Sequence, residues 1–120
     1  TDTVELPDLP GIDKVEGLNR MMNKPRLYER ILCDFYRRFV GEADAIRKAL
    51  ATNDRATAER GAHSCKGLAG SIGAHELQAA SLALEVAIHE NAKNLDDCLD
   101  DYAAKLAIVS TGIASGFKLE

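Results

Sequence analysis

At 120 residues, with 46% hydrophobic and 5% aromatic content and no Trp, the chain suits one domain around an Ala/Leu-rich core and is too short to hold a nucleotide-binding kinase domain as well. Its formal net charge of −4 argues against a general nucleic-acid binder, which wants a basic balance, and no apolar run approaches the ~18 residues of a membrane span. Cys33, Cys65 and Cys98 are odd in number, widely spaced and without a Cys-x-x-Cys pair, which points to reduced, buried thiols in a cytoplasmic protein.

Residues 1–11 hold Pro7, Pro10 and Gly11 without periodicity and read as a linker or docking arm. Asp13–Met22 is a short helix, with Asp13 near its start and Val15, Leu18 and Met22 spaced three and four apart. Asn23-Lys24-Pro25 resets the chain and places Pro25 in the first turn of the next helix. That helix carries Tyr28, Leu32, Phe35, Phe39, Ala43, Ile46 and Leu50 at helical spacing. The stripe runs through Gly41, which predicts one long helix, bent there at most. Thr52-Asn53-Asp54 ends it and offers an N-cap to a third helix, Asp54–Ile72. Gly73-Ala74 turns the chain into a fourth helix that begins near His75 and points Leu77, Ala80, Ser81, Leu84 and Ile88 inward. Asn91–Asn94 is a turn. The last helix shows Leu95, Leu99, Tyr102, Leu106, Val109 and Ile113 at bundle spacing. Asp96, Asp97, Asp100 and Asp101 lie at its start, where acidic side chains suit the positive dipole end. No segment alternates with period two. The chain is all-α, an antiparallel four-helix bundle with a short extra N-terminal helix, its domain spanning 12–116. Residues 117–120 read as a tail, vector-derived in its last two positions, and an opening Thr in place of Met suggests a fragment of a longer protein.

His63 stands apart. At about 100° per residue, Lys66, Gly67 and Gly70 lie within roughly 60° of it, while Ala62, Cys65, Leu68, Ala69 and Ile72 crowd the other side. An imidazole on an otherwise polar or bare face is displayed rather than packed. Neutral imidazole is a nucleophile near neutral pH. Phosphorylated, it forms a phosphoramidate that passes its phosphoryl group readily to a carboxylate. Lys66, one turn on, can place an ammonium beside phosphoryl oxygens, and Arg60, one turn back, can add a second positive charge that Glu59 partly offsets. Gly67 and Gly70 each cost roughly 1 kcal/mol relative to Ala in a helix. Their place on the displayed face suggests clearance for an approaching partner rather than a helix–helix contact.

The residues A-H-S-C-K-G-L-A-G-S-I-G-A-H-E-L, from Ala62 to Leu77, followed by Ser81 and Leu84-Glu85, resemble the signature of histidine-containing phosphotransfer (HPt) domains. Cys65 replaces a usual aliphatic residue and Ser81 a usual Cys or Ala, and both read as small core fillers. The L-P-G-I-D segment from Leu9 to Asp13 resembles, more loosely, the opening of such domains at the C-terminal end of hybrid sensor kinases. The resemblance implies a phosphorelay intermediate with His63 phosphorylated, Lys66 its electrostatic companion, and Gly67 the clearance position. It implies receiver domains as partners, which bring the acceptor aspartate and the Mg²⁺, so that the domain has no cofactor and no turnover of its own. It also implies a monomer with no nucleic-acid partner and no direct membrane contact, whose docking surface is shallow, partly apolar and shared with the first helix.

Three rival readings exist. His75-Glu76-Leu77-Gln78 resembles the start of the phosphoacceptor box of dimerising histidine kinases, but the Thr-Pro-Leu that normally follows is replaced by Ala79-Ala80-Ser81. His63 and Cys65 lie about 200° apart on a helix and cannot share a metal ion, and pairing His63 with His75 or His89 would need a tertiary coincidence. A bundle that docks receivers without carrying phosphate is the third, and the His63–Lys66 pair speaks against it.

Overall fold

The computed structural model describes residues 5–119. These form α1 (Lys14–Arg20), α2 (Pro25–Phe39), α3 (Glu42–Ala51), α4 (Arg55–Ile72), α5 (His75–Glu90) and α6 (Leu95–Gly116), with no strand among the described residues. The α2–α3 leg, α4, α5 and α6 close a bundle in which α4 packs on α5, α5 on α6, α6 on α2, and α3 on α4. Tyr28, Leu32, Phe39, Ile46, Ile72, Leu77, Leu84, Ile88, Tyr102, Val109 and Ile113 are fully buried between them. Cys33 and Cys65 are buried, and Cys98 is half-buried; all three are free thiols.

The stripe from Tyr28 to Leu50 does not form one helix. Gly41 takes φ −100°, ψ 8° and serves as the N-cap of α3, so the leg breaks between Phe39 and Glu42. A glycine with no side chain to pack gives the helix its weakest point, and the apolar spacing continues across the break because both pieces face one core. Asp13 and Asp54 cap α1 and α4 through bonds accepted from the backbone N–H groups of Glu16 and Thr57, at 3.1 and 3.2 Å. Those bonds from Thr57 hold the Asp54 carboxyl below its ordinary value.

The α4–α5 turn is set by Gly73 at φ +86°, a left-handed conformation that glycine adopts without strain. Its carbonyl accepts from Asp13 N at 2.8 Å, and a Cβ there would lie 2.3 Å from Asp13 O. The start of α1 is thereby fastened to the end of α4. A second close approach is at Gly17, where a Cβ would lie 2.3 Å from the Tyr28 hydroxyl, which donates to Ile72 O at 2.7 Å. Burial and the nearby Asp13 push that phenol up to about 12. The contact line of α1 therefore passes through Gly17 rather than along its apolar spacing. Val15 and Met22 are exposed, Leu18 is half-buried, and Met22 lies past the helix end.

Residues 5–11 lie along α6 rather than hanging free. Leu9 is buried in the core, and Pro10 and Pro7 sit so close to α6 that a Cβ at Gly112 or Gly116 would lie 2.7 or 2.8 Å from them. At the other end Phe117 and Leu119 pack half-buried against the same core, so the described part of the 117–120 tail belongs to the domain.

Candidate functional site

The site is built on the middle of α4. Ala58, Ala62, Cys65, Ala69 and Ile72 are buried, and they anchor the helix so firmly that the opposite side is presented outward. Burial pushes the Cys65 thiol up, which leaves it a core filler and no nucleophile. Ser81 is also buried and donates to Leu77 O at 2.8 Å. His63 sits on the outer side with 65% of its side chain exposed.

What fixes the imidazole comes from the neighbouring helix. Glu85 of α5 receives His63 Nδ1 on one carboxylate oxygen and Lys66 Nζ on the other, each at 2.7 Å. Burial raises the Glu85 carboxyl, but the hydrogen bonds and charges of Lys66 and His63 outweigh it and hold the group below the usual carboxylate range. An ionised carboxylate only accepts, so the ring nitrogen facing it carries the proton. In the neutral ring, Nδ1–H then donates to Glu85 and Nε2 carries the lone pair. Glu85 thus selects the tautomer, orients the ring and offsets the Lys66 ammonium. Sequence reasoning gave it no role. Its signal was the Leu84-Glu85 pair at the end of the motif, but a wheel drawn on one helix cannot reveal a partner on the next.

The two glycines part company. A Cβ at Gly67 would meet nothing within 4 Å, and Ser71 braces this turn by donating to Gly67 O at 3.2 Å. Gly70 is not on an open face. It is buried, and a Cβ there would lie 2.2 Å from Nε2 of Gln78 and 2.9 Å from its Cδ. The clearance at Gly70 serves the α4–α5 contact, so the expectation of a displayed Gly70 is corrected. Its angle on α4 matches that of His63, but α5 converges on α4 at this end, where the tight turn through Gly73 joins them.

Arg60 is exposed. It lines one depression beside His63 together with Ala56, Glu59, Ser64 and Glu85, and donates to Thr57 Oγ1 at 3.1 Å. A second depression on the other flank is lined by Arg38, His63, Ser64, Gly67, Leu68 and Ser71. His75 lies elsewhere, at the start of α5, with Nε2 against Glu16 of α1. Asp13, Glu16 and His75 bring ligand-type atoms within 4.8 Å of one another, but Asp13 is committed to capping α1, and the group works as a staple between α1 and α5. His89, also exposed, pairs with Glu59 at 3.3 Å. No helix among the described residues is long and apolar enough to cross a membrane.

Comparison with known proteins bears on the family and the fold. The family model of the Hpt domain matches residues 30–111, a span that contains α4, α5 and every residue of the His63 site. Among solved structures, the HPt domain of a sensor hybrid histidine kinase from Shewanella superposes with a TM-score of 0.80 at 19% identity, covering 94% of this chain and 98% of that one. No curated protein sequence matches. A family match over most of the chain, on the same all-helical fold, settles the classification: the chain belongs to the Hpt domain family, the phosphotransfer modules of two-component phosphorelays.

Proposed function

We propose that His63 is the phosphoacceptor of this domain, taking a phosphoryl group from a receiver aspartyl phosphate and returning it to another receiver aspartate. The observation that carries the reading is the exposed imidazole whose Nδ1–H is bound by Glu85 while Nε2 points away from the carboxylate, beside the open space at Gly67. The Nε2 lone pair attacks phosphorus and forms the P–N bond. The P–O bond to the aspartate breaks, and its electron pair leaves on the carboxylate. The ring becomes cationic and keeps its Nδ1 proton, which it donates in a hydrogen bond to the Glu85 carboxylate, and that carboxylate stabilises the charge that develops. Lys66, held at the same carboxylate, lies one turn on and is placed to reach phosphoryl oxygens. Glu85 is already shared by His63 and Lys66, so the divalent ion of the transfer comes with the receiver. The reverse step follows the same path, in keeping with a family of phosphotransfer modules.

On this reading Arg60 and Gly67 face the receiver, and Val15 and Met22 of α1 offer apolar surface to it. The neighbour from Shewanella is titled as part of a sensor hybrid histidine kinase, which favours a parent of that kind, with the domain acting as a cytoplasmic monomer. The test is transfer of label from a phosphorylated receiver to wild type, His63→Gln and His75→Gln. Acid-labile label on wild type and His75→Gln, and none on His63→Gln, is the expected result. Loss only in His75→Gln would transfer the role to that residue.

A further inference from the structure

The cations around His63 are not equivalent. Lys66 is answered by Glu85 at 2.7 Å, and Arg37, next to Arg38 on α2, is answered by Asp34 at 3.5 Å. Arg38 has no carboxylate within 4 Å among the described residues. Its guanidinium rests on the ring of Phe39, 4.9 Å from the centroid. Half-buried Glu42 feels its charge: burial raises that carboxyl, and Arg38 offsets only part of the rise. Arg38 is also placed at a junction. It lines the depression that holds His63 and Gly67, and with Leu68 it lines a mainly apolar groove of about 140 Å³ between α2 and α4, walled by Ile31, Phe35, Phe39 and Ile72 together with Asp34, which pairs with Arg37. An exposed arginine is stable as a lone charge, but one held on an aromatic face at the mouth of an apolar groove is pre-ordered for contact at little entropic cost.

We infer that Arg38 is the cation by which this domain engages the acidic rim of its receiver, pairing with a carboxylate there while an apolar side chain of the receiver enters the α2–α4 groove. The inference rests on the phosphorelay reading of His63 and names a specificity residue for it. The occupant follows from charge: the acidic surroundings of an acceptor aspartate brought to Nε2 carry negative charge to both flanks of His63, where Arg60 meets it on one side and Arg38, the cation that also borders the apolar groove, meets it on the other. Arg38 acts on formation of the complex and touches no reacting atom, so its effect falls on encounter and affinity.

The test compares wild type, Arg38→Ala, Arg38→Glu and Arg38→Lys in transfer from a phosphorylated receiver, with phosphoramidate as a small donor that needs no docking. The expected result is a loss of roughly tenfold in kcat/KM for Arg38→Ala, a larger loss for Arg38→Glu and near-recovery in Arg38→Lys, with the rate at saturating receiver changed less than twofold. The salt dependence of kcat/KM becomes shallower in Arg38→Ala. All four proteins take label from phosphoramidate at the same rate. Arg38→Glu transferring from the receiver like wild type, with the same salt dependence, would overturn the inference while leaving His63 in its role. Equal slowing with phosphoramidate would also overturn it, by showing damage to the site itself. A wild type that no receiver labels would bring down the phosphorelay reading, and this inference with it.

Discussion

All three histidines of this domain pair with a glutamate from another helix, and setting His63 beside His75 shows what gives one such pair the makings of a site. His63 stands mid-helix on α4, its ring bound through Nδ1, with Lys66 on the same carboxylate and bare backbone at Gly67 beside it. His75 stands at the first position of α5, and its Nε2 is spent on Glu16. Its neighbours are Asp13 and the Gly73 turn, which tie α1 to the bundle. The comparison teaches that a histidine–carboxylate pair is common currency. What makes one pair reactive is which nitrogen is left free, whether a cation is at hand for phosphoryl oxygens, and whether a partner has room to approach.

The sharpest way to break the comparison is to remove each ring in turn. His63→Gln abolishes acid-labile label, whereas His75→Gln keeps transfer within about twofold and lowers stability by up to about 1 kcal/mol, as an exposed pair should. Both are read from one labelling gel and one urea titration. Next in size, Gly67→Glu sets a carboxylate in the approach path and lowers transfer by roughly 100-fold through like-charge repulsion and bulk, with helical circular dichroism unchanged. Normal transfer in Gly67→Glu would remove the clearance argument. The parallel change at Gly70 separates the two glycines: Gly70→Ala displaces the end of Gln78, a flexible side chain, leaves stability within about 1 kcal/mol and leaves transfer untouched.

Smaller effects sharpen the electrostatics. Lys66→Ala slows phosphorylation or shortens the phosphohistidine lifetime by roughly tenfold, the scale of one charge-assisted hydrogen bond, measured by decay of label at neutral pH. Smallest is the pH dependence of Glu85. Its carboxyl is held below the usual range in the folded state, so its contribution to stability is present above the unfolded value near about 4.3 and is lost as pH falls through the folded value. Glu85→Gln is therefore less stable than wild type by about 1 kcal/mol at pH 7, and the difference shrinks on acidification below about pH 4. A difference that persists unchanged at low pH would mean that packing, not charge, is what Glu85 supplies.

Much of the fold was legible because its information is local. Caps at Asp13 and Asp54, the turn at Gly73 and the inward residues of α5 all follow from spacing and backbone chemistry within one segment, and the structure keeps them. The errors fall where two segments meet. The core stripe passes over Gly41 and so predicts one long helix, whereas the leg breaks there. The rotation of α1 is set by the approach at Gly17 to Tyr28 and Ile72 rather than by its apolar spacing, and that approach is tertiary. Composition alone does not separate linker from docking segment in the arm, because its contact with Gly112 and Gly116 of α6 is tertiary.

The candidate site divides in the same way. The order of residues in α4 determined by itself that His63, Lys66 and Gly67 share one outward face, since a helix turns by a fixed angle per residue. The tertiary structure decided the rest: Glu85 on one flank fixing the imidazole, Gln78 covering Gly70, and Arg38 on the other flank beside the apolar groove. Helical periodicity is a short-range property that any stretch of sequence carries. The packing of α2 and α5 against α4 depends on side chains far apart in the chain, and it alone brings a base, its partner and its approach path to one place.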